Sequence, residues 1–288
     1  MRPICVFPAA VGLFLTAATV APAAMPTPAG TVPHRAAACD APPALAGLGA
    51  FLGRGAARLR RGGSLTIVAL GSSSTRGVGA STAALSYPSR LEADLHRLLP
   101  AVAIRVVNRG RNGEEVPQML SRFDSDVLPL HPDLVIWQLG TNAVLHHADP
   151  ESEAPLIARG IARLQRHDSD VVLMDLQYAP RVVARPSYKA MERIIAEAAR
   201  RAHVGLFRRF QIMQAWQAER PADPPRIVAD DGVHMNDRGY GCMAADLAAA
   251  LVANWRSPPL LARTGDAVAA GGTNAGPAGV PLAAGFAP

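Results

Sequence analysis

Two short segments near opposite ends of the chain contain the residue types of nucleophilic acyl chemistry. Three consecutive serines, residues 72–74, follow an apolar run, and Asp231 and His234 lie in one Asp-Gly-Val-His segment. A serine hydroxyl is a poor nucleophile until a base takes its proton, and a neutral imidazole can be that base. Asp231 could hold the other ring nitrogen, and the adjacent Asp230 is an alternative. Taken alone, the serines equally suit a helix cap, and Asp-Gly equally suits a turn.

Two further segments contain residues that can donate hydrogen bonds to a developing negative charge. They are Asn-Arg-Gly-Arg-Asn-Gly at 108–113 and Gly-Thr-Asn at 140–142. Acyl transfer passes through a tetrahedral oxyanion, which needs donors already in place. Glycine suits a backbone donor that must approach the substrate closely, and Gly110 and Gly113 compete for that position. The alternative interpretation of both segments is an ordinary loop.

The elements that must position these segments are predicted from hydrophobic patterning. Nearly continuous apolar runs indicate buried parallel strands at 65–70, 102–107, 133–138 and 170–175, with a weaker one at 203–207. Helical spacing between them gives three apolar faces, namely Ile157/Ile161/Leu164, Met191/Ile194/Ile195/Ala198 and Met243/Leu247/Leu251. This alternation predicts an α/β fold with one doubly wound, flavodoxin-like sheet of five parallel strands flanked by helices.

The predicted sheet would place the candidate segments close together. The serines follow the first strand, residues 108–113 end the second, and residues 140–142 follow the third. Loops at the carboxyl ends of parallel strands form the ligand crevice of such a fold. In the strand order 2-1-3-4-5, these three loops are neighbours.

The four segments, in this order, resemble those of the SGNH (GDSL-type) hydrolase family over about residues 64–255. The family's first motif reads Gly-Asp-Ser-x-Thr-x-Gly. Gly71, Ser73, Thr75 and Gly77 match it in register, whereas Ser72 stands where the family usually has Asp. Aligning either neighbouring serine instead would lose the threonine and glycine matches.

The resemblance implies a role for each matched residue. Ser73 would be the nucleophile, His234 the general base and Asp231 the residue that orients the imidazole. The oxyanion hole would consist of the Ser73 N–H, the Gly113 N–H and the side-chain amide of Asn142.

Other residues near the predicted crevice are candidates for lining a substrate pocket. Trp137 and Gln138 end the third strand, and Asp175, Gln177 and Tyr178 end the fourth; core packing or strand capping explains them equally well. His146 and His147 are adjacent, but no third ligand accompanies them at metal spacing. We therefore predict neither a metal nor a cofactor.

The leading functional prediction is an exported serine esterase that acts on short, acetyl-type acyl esters of a small molecule or a polysaccharide. A lysophospholipase, lipase or thioesterase of the same fold is the alternative, because the motifs specify acyl transfer and not the acyl group. The sequence shows no long apolar insertion of the kind expected for a lipid-binding lid. A non-catalytic cell-envelope binding domain would be expected to lose a catalytic position, and none is lost.

The termini and the cysteines predict an exported protein. Residues 1–23 have the pattern of a signal peptide, 24–43 of a flexible leader, and 257–288 of a disordered Ala/Gly/Pro-rich tail, leaving a hydrolase domain at 44–256. A membrane anchor is the alternative for the N-terminus, but the run is barely long enough to span a bilayer and contains a proline. Removing the signal leaves Cys39 and Cys242, which we predict to form a disulfide in the periplasm or outside the cell.

The positive charge of the chain does not indicate a nucleic-acid partner. The formal net charge is +6, but the basic residues, nearly all arginine, are spread along the sequence. Their one cluster, residues 58–61, ends a predicted helix, where cations suit the helix dipole. We therefore predict no nucleic-acid partner and, after signal cleavage, no stable membrane span.

Overall fold

Strands and helices alternate along the described part of the chain. The computed structural model describes residues 39–219 and 226–257. The strands are β1 Leu65–Gly71, β2 Ile104–Gly110, β3 Leu134–Gln138, β4 Asp170–Met174 and β5 Gly205–Phe207. The helices are α1 Gly53–Arg61, α2 Ser73–Arg76, α3 Tyr87–Leu98, α4 Val116–Ser121, α5 Thr141–Leu145, α6 Pro150–Arg166, α7 Pro180–Val183, α8 Tyr188–Arg201, α9 Arg209–Ala218 and α10 Asp237–Arg256.

Several of the sequence predictions concern residues outside these ranges. The predicted signal peptide, the leader up to residue 38 and the tail beyond residue 257 all lie outside the described residues. Within residues 39–219 and 226–257, none of the helices combines the length and the apolar character that crossing a bilayer requires.

The five strands form one parallel sheet in the order β2-β1-β3-β4-β5. β1, β3 and β4 pair in register through residues that are almost all buried, because helices cover both faces of the sheet. The predicted fold class and strand order are confirmed. The loops that follow β1, β2 and β3 consequently lie side by side at the carboxyl edge.

The second strand differs from its prediction. Its apolar residues indicated a strand over 102–107, but β2 continues to Gly110, and its last three residues pair with Ala69, Leu70 and Gly71 of β1. β2 is an edge strand, and most of it is only half-buried. Residues with polar side chains can therefore continue its backbone pairing with β1. The polar end of β2 is therefore part of the sheet, and the loop that follows begins three residues later than predicted.

Alternate side chains of β1 belong to two separate hydrophobic cores, one on each face of the sheet. Ile67 and Ala69 pack on the face covered by α1, α3 and α10, whereas Val68 and Leu70 pack on the face covered by α4, α6 and α8. This is the arrangement expected of a doubly wound sheet. Burial of each large aliphatic side chain stabilises the fold by about 1.5–3 kcal/mol.

The apolar faces of the helices agree with the predicted spacing apart from one position. All of Ile157, Ile161 and Leu164 in α6, and all of Met243, Leu247 and Leu251 in α10, are fully buried. In α8, the predicted face includes Ala198, which is only half-buried, and Ala199 is buried instead. The buried stripe of α8 is thus shifted by one residue at its end.

Cys39 and Cys242, the predicted pair, form a disulfide with a Cα–Cα distance of 5.3 Å. Cys242 lies in α10, and Cys39 is the first described residue of the chain. The bond joins residues 203 positions apart, so it closes nearly the whole described fold into one loop.

Candidate active site

Ser73 begins the short helix that follows β1. The chain leaves the sheet at Gly71, turns through Ser72 and forms α2, which ends at Gly77 with φ +103°. Backbone N–H groups at the start of a helix have no partner inside the helix, so this turn exposes donors beside the Ser73 hydroxyl. The Ser73 Oγ lies 2.7 Å from the His234 Nε2.

The structure distinguishes between the three consecutive serines. Ser72 is buried, and its N–H and Oγ donate to the Gln138 Oε1 at 2.9 and 3.0 Å. Ser74 is also buried, with an exposed fraction of 1%. Of the three, Ser73 alone contacts the imidazole, in agreement with the register of the family motif.

The Asp231 carboxylate holds the His234 segment from two sides. Its Oδ2 lies 2.5 Å from the His234 Nδ1, and its Oδ1 accepts the N–H groups of Val233 and His234, both at 2.9 Å. Asp230, the alternative orienter, instead pairs with Arg226 on the surface at 3.0 Å. The geometry therefore selects Asp231 as the partner of the imidazole.

The electrostatics of this pair favour a charged carboxylate. Burial opposes ionisation of Asp231, but the hydrogen bonds from His234 and the two backbone N–H groups outweigh it, so the Asp231 pKa lies below its ordinary value. The His234 side chain is 16% exposed and that of Asp231 is 40% exposed. The imidazole is therefore largely shielded from solvent and backed by a partly solvated carboxylate.

Gly113 and Asn142 lie on adjacent loops that are hydrogen-bonded to each other. The Asn142 Nδ2 donates to the Glu114 carbonyl at 2.9 Å, which joins the start of α5 to the loop after β2. An amide NH₂ carries two hydrogens, so this bond leaves one free to donate elsewhere. Gly113 has φ +75°, a conformation that glycine adopts without strain.

Gly110, the competing glycine, has another function. Its N–H donates to the Asn108 Oδ1 at 2.9 Å, and a Cβ at this position would overlap the backbone of Arg76. Gly110 therefore allows the close approach of β2 to α2, and its N–H is already engaged. Gly113 is the glycine of this loop that suits a donor position.

Arg122 is a buried cation that the sequence analysis did not identify. Its side chain is 5% exposed and pairs with Glu114, which follows Gly113, with an Nε–Oε2 distance of 2.8 Å. It also donates to the carbonyls of Arg109 and Gly71 at 2.9 and 3.3 Å. Removing one partner of a buried ion pair costs about 3–5 kcal/mol, so this contact firmly anchors the loop that carries Gly113.

Three of the residues predicted to line the substrate pocket are buried beneath the surface. Trp137 packs edge-on against Phe123 and donates its Nε1 to the Met119 sulfur. Gln138 accepts from the Ser72 turn, and the Gln177 amide is hydrogen-bonded on both sides. These side chains lie beneath the site and are held there by contacts within the protein.

Tyr178 is the half-buried member of that predicted set. Its ring packs edge-on against Phe210 at a centroid distance of 5.2 Å. It also lines a cavity of about 480 Å³ beside Pro180, Ile227 and Val228, next to the His234 segment. Tyr178 thus remains a candidate for contact with a bound molecule.

Asp175 is also buried, in a cluster of charged residues at the end of β4. Its Oδ1 accepts the Phe210 N–H at 2.9 Å, and its carbonyl accepts from the fully buried Arg209. Glu192 is a close carboxyl neighbour of Asp175, and burial raises the pKa of both groups. This cluster fixes the end of β4 and does not line the surface.

His146 faces the carboxylate of Glu115. Its Nδ1 lies 2.6 Å from the Glu115 Oε1, and the His146 side chain is largely exposed. Throughout the part of the chain that the structure describes, no group of three His, Cys, Asp or Glu residues is arranged to hold a metal ion.

Comparison with known proteins identifies the family of the chain. The model of the non-GDSL lipase-like family matches residues 38–257. No curated protein gives a significant sequence match. The fold is similar to solved structures at about 20% identity, a level at which the likeness establishes the fold alone.

Three of these structures illustrate the similarity. A two-domain esterase (CEX) active on acetylated mannans is 19% identical with a TM-score of 0.59; the match covers 74% of this chain and only 56% of that one. A mutant of Axe2, an acetyl-xylooligosaccharide esterase from Geobacillus Stearmophilus, is 20% identical with a TM-score of 0.57, covering 67% of this chain and 97% of that one. TesA is 19% identical with a TM-score of 0.56, covering 66% and 99%.

The family match covers well over half of the sequence. The chain therefore belongs to the non-GDSL lipase-like family.

Proposed function

We propose that this protein hydrolyses carboxylic esters through a Ser73-His234-Asp231 relay. The observation that carries the proposal is the continuous hydrogen-bond chain from the Ser73 Oγ through His234 to Asp231, with distances of 2.7 and 2.5 Å. As Ser73 attacks the acyl carbon, His234 takes its proton and then delivers it to the departing alkoxide. Water next attacks the acyl-serine, gives a proton to His234 and releases the acid, and the proton returns to Ser73.

The oxyanion formed in each step needs donors that are already oriented. We assign this role to the N–H groups of Ser73 and Gly113 and to the second amide hydrogen of Asn142. The hydrogen bond from Asn142 to Glu114 and the ion pair between Glu114 and Arg122 support this assignment, because they hold the donors before substrate binds.

The substrate that we propose is a short-chain ester, of the acetyl type, on a small molecule or a carbohydrate. Similar structures include esterases described as active on acetylated mannans, acetyl-xylooligosaccharides and acetyl xylan. The sequence also lacks a long apolar insertion that could form a lipid-binding lid. A lipase, lysophospholipase or thioesterase activity is the second candidate, favoured by the lipase-like description of the family.

We also propose that the protein acts in the periplasm or outside the cell. The N-terminal sequence has the pattern of a signal peptide. The disulfide between Cys39 and Cys242 supports the same location, because such bonds persist in oxidising compartments.

A chain-length series of nitrophenyl esters tests the activity and the substrate class together. We expect the acetyl ester to be hydrolysed fastest, with no loss of activity in EDTA. Ser73→Ala should lower the rate by about three or more orders of magnitude. Ser121→Ala is the matched control, because the Ser121 hydroxyl is exposed and bonds only within α4. A preference for long acyl chains would favour the lipase candidate, and no hydrolysis of any ester would refute the proposal.

A further inference from the structure

Gln177 follows β4 and carries an amide that joins two loops of the site. The residue is 1% exposed. Its Oε1 accepts from the Thr141 Oγ at 2.9 Å, and its Nε2 donates to the Val233 carbonyl at 3.2 Å. A carbonyl can only accept, so Val233 fixes which end of the amide is the nitrogen.

Both hydrogen-bond partners are immediate neighbours of residues that we assign to the reaction. Thr141 begins α5 and precedes Asn142, whereas Val233 precedes His234. Gln177 thus stands one residue away from an oxyanion donor on one side and one residue away from the general base on the other. It can influence the reaction only through these neighbours.

The His234 segment needs such a connection because it lies outside the sheet. Its backbone contacts are an antiparallel bridge between Val228 and Met235 and a bond from the Ala229 N–H to the His234 carbonyl at 2.8 Å. A further bond joins the Gly232 carbonyl to Arg181 at 3.0 Å. These contacts shape the segment and attach it to α7, but they do not connect it to the end of β3.

Asn142, by contrast, is placed directly by the sheet, through β3 and the turn at Gly140. The oxyanion donor and the general base therefore belong to different parts of the fold. A displacement of about 1 Å between reacting groups can lower a rate by about a hundredfold. The Gln177 amide is a direct hydrogen-bonded link between these two parts.

We propose that Gln177 is a positioning residue that sets the His234 imidazole relative to the Asn142 amide, so that both groups engage the same acyl carbon. This inference rests on the proposed ester hydrolysis. Thr141 transmits the effect to Asn142, and Val233 transmits it to His234.

The test compares three single variants and one double variant with the wild-type protein. Gln177→Met keeps the length of the side chain and removes both hydrogen bonds, whereas Thr141→Val removes only the bond to Oε1. Gln165→Met is the matched control, because Gln165 also donates its Nε2 to a backbone carbonyl, that of Ala202 at 3.0 Å, but is exposed at the end of α6.

We expect Gln177→Met to lower kcat for nitrophenyl acetate by about tenfold to a hundredfold, with KM changed less than about twofold. Thr141→Val should show a smaller loss, and the double variant should match Gln177→Met because the shared bond is already absent. Gln165→Met should retain wild-type kcat. Thermal unfolding of each variant checks that the folded fraction at the assay temperature is the same.

A second readout does not depend on activity. The downfield proton NMR signal of the His234 Nδ1–H, assigned by its loss in His234→Ala, should shift or broaden in Gln177→Met and stay unchanged in Gln165→Met. An unchanged signal, or an unchanged kcat in an active protein, would overturn the positioning role. If the wild-type protein hydrolyses no ester, the proposed function fails, and the NMR signal still decides whether Gln177 positions His234.

Discussion

Asp231→Asn is a stringent test of the proposed Ser73-His234-Asp231 triad, because the Asp231 carboxylate makes two kinds of contact. Its Oδ1 accepts two backbone N–H groups, and its Oδ2 faces the His234 Nδ1. Asparagine keeps one oxygen and replaces the other with an NH₂ group. If the oxygen stays on the backbone N–H groups, the NH₂ donates to Nδ1 and the ring proton moves to Nε2. The imidazole then cannot accept the proton of Ser73.

The size of the effect follows from these contacts. Rotating the amide restores the correct tautomer but breaks both backbone bonds, at a cost of about 2–3 kcal/mol. The neutral amide also loses the charge-assisted hydrogen bond to the imidazolium, which contributes about 1.5–3 kcal/mol. The sum of about 4–6 kcal/mol corresponds to a loss of about 10³ to 10⁴ in kcat.

Asp230→Asn provides the control for this measurement. Asp230 is a neighbouring carboxylate whose ion pair with Arg226 is almost fully exposed, and such pairs contribute little. We expect Asp230→Asn to keep kcat for nitrophenyl acetate within about twofold of the wild-type value. More than about a tenth of wild-type activity in Asp231→Asn, or a greater loss in Asp230→Asn, would contradict the assignment of Asp231.

Three further predictions concern the oxyanion hole, the disulfide and a buried carboxyl pair. Asn142→Ala should lower kcat by about a hundredfold or more with little change in KM, whereas a raised KM at full kcat would make Asn142 a substrate-binding residue. Reducing the disulfide between Cys39 and Cys242 should lower the free energy of unfolding by about 2–5 kcal/mol in urea titrations, and an unchanged midpoint would contradict this. Burial beside Asp175 raises the Glu192 pKa, so the folded state keeps a proton that the unfolded chain loses. The free energy of unfolding therefore falls as the pH rises from the ordinary glutamate pKa towards the raised value. Glu192→Gln should therefore gain stability relative to wild type between pH 5 and 9, and parallel urea midpoints across that range would contradict it.

The fold could be predicted from the sequence because its central strands are nearly continuous apolar runs. β1, β3 and β4 are covered on both faces, so burial is visible in their composition. The end of β2 could not be found in this way. Asn108, Arg109 and Gly110 belong to the strand only because they pair with β1. That pairing is a tertiary contact, which the local sequence does not reveal.

The residues of the candidate site also differ in whether the sequence alone could reveal them. Ser73, Asp231 and His234 could be found because a motif fixes their spacing, and the structure brings them into contact. Arg122 was not identified, and Gln177 was named only as a candidate for lining the pocket, because the contacts of both residues are with partners distant in sequence. The sequence signal for both residues is a polar residue inside or directly after an apolar stretch. This signal alone does not distinguish a buried residue that holds a loop in place from a residue that lines the pocket.

The residues at the carboxyl ends of β3 and β4 show why the sequence left pocket lining and core packing open as alternatives. The structure buries Trp137, Gln138 and Gln177 beneath the surface. Parallel strands place alternate side chains on opposite faces, so proximity to the crevice in sequence does not give orientation.

Covalent labelling tests the central claim, that Ser73 is the nucleophile, most directly. A fluorophosphonate ester, which reacts with serines activated by a neighbouring base, would be added to the wild-type protein and to the Ser72→Ala, Ser73→Ala and Ser74→Ala variants, followed by peptide mass mapping. The account predicts a single adduct on Ser73 in the wild type, the same adduct in the two neighbouring variants and none in Ser73→Ala. An adduct on Ser72 or Ser74, or labelling that persists in Ser73→Ala, would contradict it.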